Sequence, residues 1–105
     1  MPARTGKEVI DRLQQHPPTL WLDGQLVEDP TTHPRTRNAV RSLAALYDLQ
    51  YREDLVDVMT FKSPSSGDLV GRSFVVPESK DDLRQRSEMH KVWADATLGH
   101  MGRSP

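Results

Sequence analysis

Cysteine is absent from the 105 residues, which excludes disulfides and thiolate metal sites and fits a reducing compartment. Aromatic residues are scarce at 6% and hydrophobic residues reach 35%, with a mean hydropathy of −0.66. That is little for a chain that must bury its own core. A chain this short also buries a small share of its surface, so marginal independent stability is expected. No apolar run approaches the roughly 20 residues that span a bilayer. The opening residues Met1 to Lys7 lack the apolar stretch of a secretory signal. An excess of one charge is missing too: 14 Lys and Arg stand against 15 Asp and Glu, interspersed, for a net charge of −1. Nothing in that balance pulls the chain toward nucleic acid or an anionic membrane. The expectation is a soluble, cytoplasmic chain of at most one domain.

What is present is a series of short, well-punctuated elements. Thr5 and Glu8 have capping-box spacing, with Val9, Ile10 and Leu13 as a narrow apolar stripe behind them. His16-Pro17-Pro18 ends that helix, because a residue before proline is pushed out of the α region. Leu20 to Val27, with Asp23-Gly24 central between apolar flanks, predicts a tight hairpin. After a polar connection from Glu28, Pro34 is placed in the first turn of a second helix, where Val40, Leu43, Ala44 and Tyr47 share a face. Asp48 to Glu53 reads as a break, followed by a short helix with Leu55, Val58 and Met59. Phe61 opens an extended stretch. Ser63 to Gly67 is turn chemistry, and Leu69-Val70 and Phe74 to Val76 read as strand, so a second hairpin is expected.

The last quarter holds the longest expected helix. Ser79 is its N-cap, Asp81 and Asp82 complement its dipole, and Met89, Val92, Trp93 and Ala96 form one apolar face. Gly99 and Gly102 bracket its exit and lead to Arg103. The predicted architecture is mainly α with two β-hairpins, an α+β fold.

Chemistry-bearing groups are few. His16, His33, His90 and His100 match no zinc spacing; His33, before Pro34, reads as a turn or cap residue and His90 as a helix-face residue. There is no Gly-rich phosphate loop, nucleophile elbow or Ser/His/Asp arrangement. Trp21 and Trp93 are expected in the core. Arg84 and Arg86 read as a solvated face, and Arg35, Arg37 and Arg41 as a weak anion patch offset by Asp29 and Asp48. The Gly-Arg-Ser at 71–73 recurs at 102–104 with different flanks and reads as coincidence. Arg103 is the single residue set apart, and a loop arginine is most often an exposed group without a role.

The ordered set of short motifs goes further. The opening from Met1 to Leu13, Trp21-Leu22-Asp23-Gly24, His33-Pro34, Met59-Thr60-Phe61, Gly71-Arg72-Ser73-Phe74 and Gly102-Arg103-Ser104-Pro105 together resemble the 4-hydroxyphenylacetate 3-hydroxylase family. No one of these is specific, and the likeness rests on their order along the whole chain. The resemblance implies that residues 1–105 form part of an N-terminal helical domain of an acyl-CoA-dehydrogenase-like flavoprotein. A β-rich middle domain and a C-terminal helical bundle, both outside this sequence, would complete it. It implies an oxygenase that takes reduced FAD from a separate flavin reductase and uses O₂ to hydroxylate a phenol beside its hydroxyl. A homo-oligomer is implied, with no nucleic-acid or membrane partner. Arg103 maps onto the family's active-site arginine in the Gly-Arg-Ser/Thr-Pro loop, while no residue maps onto cofactor binding or a metal. The chain alone is expected to bind no FAD and to be inactive. Two other readings stand beside this one. One is a fragment of a 4-hydroxybutyryl-CoA dehydratase-like relative, which uses an iron–sulfur cluster. The other is a stand-alone, non-catalytic interaction module.

Overall fold

Thr5 starts the first helix as its spacing predicts. The computed structural model describes residues 2–99, and in it the Thr5 hydroxyl accepts from the Glu8 amide at 3.2 Å. Helix α1 spans Gly6–Gln15 and is closed by His16 ahead of the two prolines. Strands β1 (Leu20–Leu22) and β2 (Gln25–Val27) pair antiparallel, with Trp21 opposite Leu26. Asp23 and Gly24 carry φ of 52° and 76°, the pair of left-handed residues that matches the twist of a two-residue hairpin. Helix α2 covers Arg37–Leu49, helix α3 Val56–Met59, and strands β3 (Thr60–Lys62) and β4 (Leu69–Gly71) form the second antiparallel hairpin. A 3-10 turn at Arg72–Phe74 follows, and α4 runs over Lys80–Thr97. The α+β architecture with two hairpins is the one expected.

The chain divides into two compact units. One is Arg4–Asp48; the other is Met1–Ala3 with Leu49–Pro105, of which residues 2–3 and 49–99 are described. In the first unit Val27, Ala44 and Leu46 are buried. Gly6 lies against α2: its amide donates to the Asp48 carboxylate at 2.7 Å. A Cβ on Gly6 would sit 2.5 Å from the Ala44 carbonyl oxygen. That carboxylate also sits where the dipole of α1 favours negative charge. The Asp29 carboxyl is held below its usual range by hydrogen bonds from Thr31, first its hydroxyl and then its amide. In the second unit Met59, Thr60, Met89 and Trp93 are buried, Met89 completely. Gly71 approaches the Gln50 side chain so closely that a Cβ would lie 2.8 Å from its Oε1. Ala3 joins this unit through its amide, which donates to the Leu69 carbonyl at 2.7 Å, and through its carbonyl, which accepts from Tyr51.

Several expectations are corrected. The regular part of α2 begins three residues after Pro34, because His33 accepts from both the Thr36 and Arg37 amides and the entry turn is tighter than an α-helix. Phe74 to Val76 are not strand: Phe74 lies in the 3-10 turn, and Phe74 and Val76 are 72% and 77% exposed. Trp21 is 62% exposed and belongs to no core, whereas Trp93 is buried as expected. Ala96 is exposed, so the buried face of α4 narrows to Met89 and Trp93 with Val92 half-covered.

Candidate functional site

The one residue singled out for chemistry, Arg103, lies outside the described residues, as does His100. The described element that precedes it in sequence is α4 (Lys80–Thr97). Ser79 caps its start, accepting from the Asp82 amide at 3.1 Å, while the Asp82 carboxylate accepts from the Glu78 amide at 3.0 Å. Asp81 receives Arg84 on the exposed side, and this hydrogen bond, with the Asp81 charge behind it, raises the Arg84 pKa further above its usual value. At the far end the Leu98 and Gly99 amides both return to the Ala94 carbonyl, with φ of 54° and 80°. Leucine in this conformation is strained by roughly 1–2 kcal/mol. The helix end is therefore set by Leu98 together with the predicted Gly99.

Arg72, whose structural part no local pattern signals, joins α3 and β3 to α4. Its Nε donates to the Val58 carbonyl at 2.8 Å, its Nη2 to the Asp57 and Thr60 carbonyls at 2.8 Å each, and its Nη1 to Gln85 Oε1 at 2.7 Å. Asp57 and Val58 are in the four-residue helix α3, whose last carbonyls have no turn following to receive them. Arg72 supplies those donors and then reaches across to α4. In the sequence it stands in Gly71-Arg72-Ser73-Phe74, one of the motifs of the family resemblance, which carries no mark of its acceptors. Only the fold shows that four acceptors converge on it.

The remaining candidates resolve quietly. His33 is a turn residue, its Nδ1 accepting from the Arg35 amide at 3.1 Å. His90 is exposed on α4 with its ring 5.9 Å from that of Trp93. Arg35 pairs with Asp23 of the first hairpin turn, which weakens the proposed anion patch. Arg84 is a surface group as expected, but Arg86 is half-covered and its Nε is buried, as is Trp93 Nε1, neither with a hydrogen-bond partner among the described residues. No group of three or more His, Asp or Glu among the described residues could hold a metal ion. No helix among them is long and apolar enough to cross a membrane.

A flavin pyrophosphate would need free amides at a helix N-terminus or a cationic cradle. The starts of α1 and α4 offer neither: Asp48 and Thr5 occupy the first, Ser79 and Asp82 the second, and three of these four are anionic or flanked by anions. These two helix starts thus do not fit a flavin pyrophosphate.

Comparison with known proteins places this geometry. Residues 5–105 match the family model described as 4-hydroxyphenylacetate 3-hydroxylase N terminal. The chain is 50% identical over 103 residues to the 4-hydroxyphenylacetate 3-monooxygenase oxygenase component of Thermus thermophilus, covering 98% of this chain and 21% of that protein. It superposes with a TM-score of 0.92, at 50% identity and 98% coverage, on 21% of a crystal structure of such an oxygenase component complexed with FAD and 4-hydroxyphenylacetate. An oxygen-tolerant 4-hydroxybutyryl-CoA dehydratase from N. maritimus is similar at a TM-score of 0.77 and 29% identity, over 90% of this chain and 19% of that one. The chain spans about a fifth of the length of the curated relatives it matches.

Proposed function

This chain belongs to the 4-hydroxyphenylacetate 3-hydroxylase N-terminal family, and on that premise we propose that it serves as the opening segment of the oxygenase component of a two-component aromatic monooxygenase. The observation that carries this reading is 50% identity with a relative of that name along 98% of the chain. The dehydratase likeness is weaker on both measures, 29% identity and a TM-score of 0.77. Residues 1–105 would form part of the N-terminal domain, with a β-rich middle domain and a C-terminal helical bundle supplied by the rest of the length. The substrate class is a phenol, 4-hydroxyphenylacetate or one like it, and the oxygenase would work as a cytoplasmic homo-oligomer.

Reduced FAD, delivered by a separate reductase and held by segments other than those described, would supply the two electrons that activate O₂. In the balanced reaction one oxygen atom enters the ring beside the hydroxyl and the other leaves as water. The contribution from this chain is Arg103. A phenol has a pKa of about 10 in water, and a fixed guanidinium beside its oxygen favours the more nucleophilic phenolate. The planar fork of arginine holds that oxygen in one orientation, which the flexible ammonium of lysine would not.

The test uses this segment joined to the remaining length of the family enzyme. Catechol and hydrogen peroxide formed per flavin oxidised are measured for wild type, Arg103→Ala and Arg103→Lys. Loss of a charged hydrogen bond in a water-excluded site costs about 2–4 kcal/mol, so hydroxylation by Arg103→Ala should fall roughly 30- to 1000-fold. Arg103→Lys should recover part of it. The missing product should appear as peroxide, since reduced flavin still reacts with O₂. Unchanged rate and coupling in Arg103→Ala would leave this residue without a part in the reaction.

A further inference from the structure

Phe74, Val76 and Leu83 are 72%, 77% and 55% exposed, and all three belong to the approach to α4 or to its first turns. Phe74 closes the 3-10 turn, which packs against α4 and is tied to it by the 2.7 Å hydrogen bond from Arg72 to Gln85. Val76 stands just before the Ser79 cap, and Leu83 lies one turn into the helix. Large apolar side chains scattered singly over a surface need no explanation, whereas several around one helix start mark a contact face.

Two unpaired charges stand on either side of Leu83 in sequence. Glu78 is exposed; its amide donates to the Asp82 carboxylate, and its own carboxylate forms no ion pair among the described residues. Arg86 is half-covered, with a buried Nε that has no hydrogen-bond partner among the described residues. A guanidinium donor withdrawn from water without an acceptor is costly. Glu78 and Arg86 do not serve each other, since pairing along a helix joins residues three or four apart. From Ser79 to Arg86 the helix rises about 10 Å, with Leu83 between them.

We propose that this face is where two copies of the chain dock, about a twofold axis at Leu83, with Glu78 of each copy against Arg86 of the other. Under a twofold axis a patch meets itself reversed, so each residue's contact is repeated with the copies exchanged. The order carboxylate, apolar side chain, guanidinium is then its own complement, and both charges are answered at once. The net charge of −1 sets little repulsion between the copies. The proposal goes beyond the monooxygenase reading and uses no residue of that chemistry.

Sedimentation velocity on the 105-residue chain tests this, with helix content followed by circular dichroism. A face this small should give a dimer with a Kd of about 10–100 µM. Leu83→Lys, at an exposed helix position, should leave a monomer. Glu78→Arg sets like charges opposite each other twice, and dimerisation should weaken about tenfold or more; Arg86→Glu should do the same. Mixing these two variants is the informative arm. Each repels its own copy, but one carries two cations where the other carries two carboxylates, so a heterodimer should form with about the wild-type Kd. An apolar contact alone gives no such pairing. Glu78 and Leu83 are exposed, so their variants keep the test open if Arg86→Glu loses its helical signal.

A monomer at every concentration would overturn the proposal, as would open assembly past the dimer. A dimer that Leu83→Lys disrupts and Glu78→Arg leaves unchanged would overturn it too, with water as the acceptor for Arg86. A wild-type chain without helical signal would do the same, since the face would then be absent from the free chain. None of these outcomes touches the monooxygenase reading, which the coupling assay decides by itself.

Discussion

Two glycines do opposite things for the same chemical reason, the missing Cβ. At Gly24 the space is open, with nothing within 4 Å, but φ is +76°. Gly24→Ala should therefore cost about 1 kcal/mol from backbone conformation alone. At Gly6 the backbone is helical, and alanine there gains about 1 kcal/mol of helix propensity. Its methyl, however, would meet the Ala44 carbonyl oxygen at 2.5 Å and the Asp48 carboxylate at 2.6 Å. The Ala44 oxygen is backbone and cannot swing aside, so α1 and α2 would have to separate and the Gly6–Asp48 hydrogen bond would stretch. Gly6→Ala is expected to destabilise by about 1–3 kcal/mol despite its better propensity. Urea titrations of the two variants check this, and a Gly6→Ala protein as stable as wild type would show that α2 yields easily.

At the scale of elements, helix starts are the best-specified features. Thr5 and Ser79 each accept an amide three residues on, at 3.2 and 3.1 Å. Ser79→Ala should cost about 1 kcal/mol, measured as a lower urea midpoint with an unchanged slope. A changed slope would instead indicate that α4 no longer forms as a unit. The two hairpins contrast. The first is fixed by Asp23-Gly24 and exposes its cross-strand pair Trp21 and Leu26. The second closes through a longer turn, with the Ser63 amide donating to the Asp68 carbonyl at 2.8 Å, and buries Thr60 and Gly71 at its open end. A strand beyond Gly71 was expected from Phe74-Val75-Val76. Instead the chain enters a 3-10 turn at Arg72–Phe74, and the Arg72 side chain reaches back to α3.

For the whole molecule, the exposed Phe74, Val76 and Leu83 set apolar surface at and just before α4, and few side chains are buried among the described residues. The 105-residue chain on its own should show a broad, concentration-dependent thermal transition, since such surface favours self-association and two separate units need not melt together. A sharp, concentration-independent unfolding of a monomer would favour a stand-alone interaction module. Mixed with reduced FAD, O₂ and 4-hydroxyphenylacetate, the chain should yield no catechol above a protein-free control. The N-termini of α1 and α4 are taken up by Asp48, Ser79 and Asp82, and the chain spans 21% of the relative it matches. Catechol above that control would mean that this segment holds flavin without the rest of the family's length.

The sequence by itself determined what local chemistry controls. Thr5, Ser79, Asp23-Gly24 and the paired prolines at 17 and 18 act on neighbours a few residues away, so their outcome depends on no distant contact. The ordered motifs determined the family, because order and spacing along a chain are themselves one-dimensional. Tertiary structure alone decided what depends on residues far apart in sequence. It put Trp21 outside the core and Trp93 within it, although both are large apolar groups in amphipathic settings. It brought Asp48 to Gly6 across 42 residues. It also gathered the carbonyls of α3 and β3 and the amide of Gln85 around Arg72. A guanidinium has five N–H donors and no preference of its own among acceptors, so only the folded backbone assigns them.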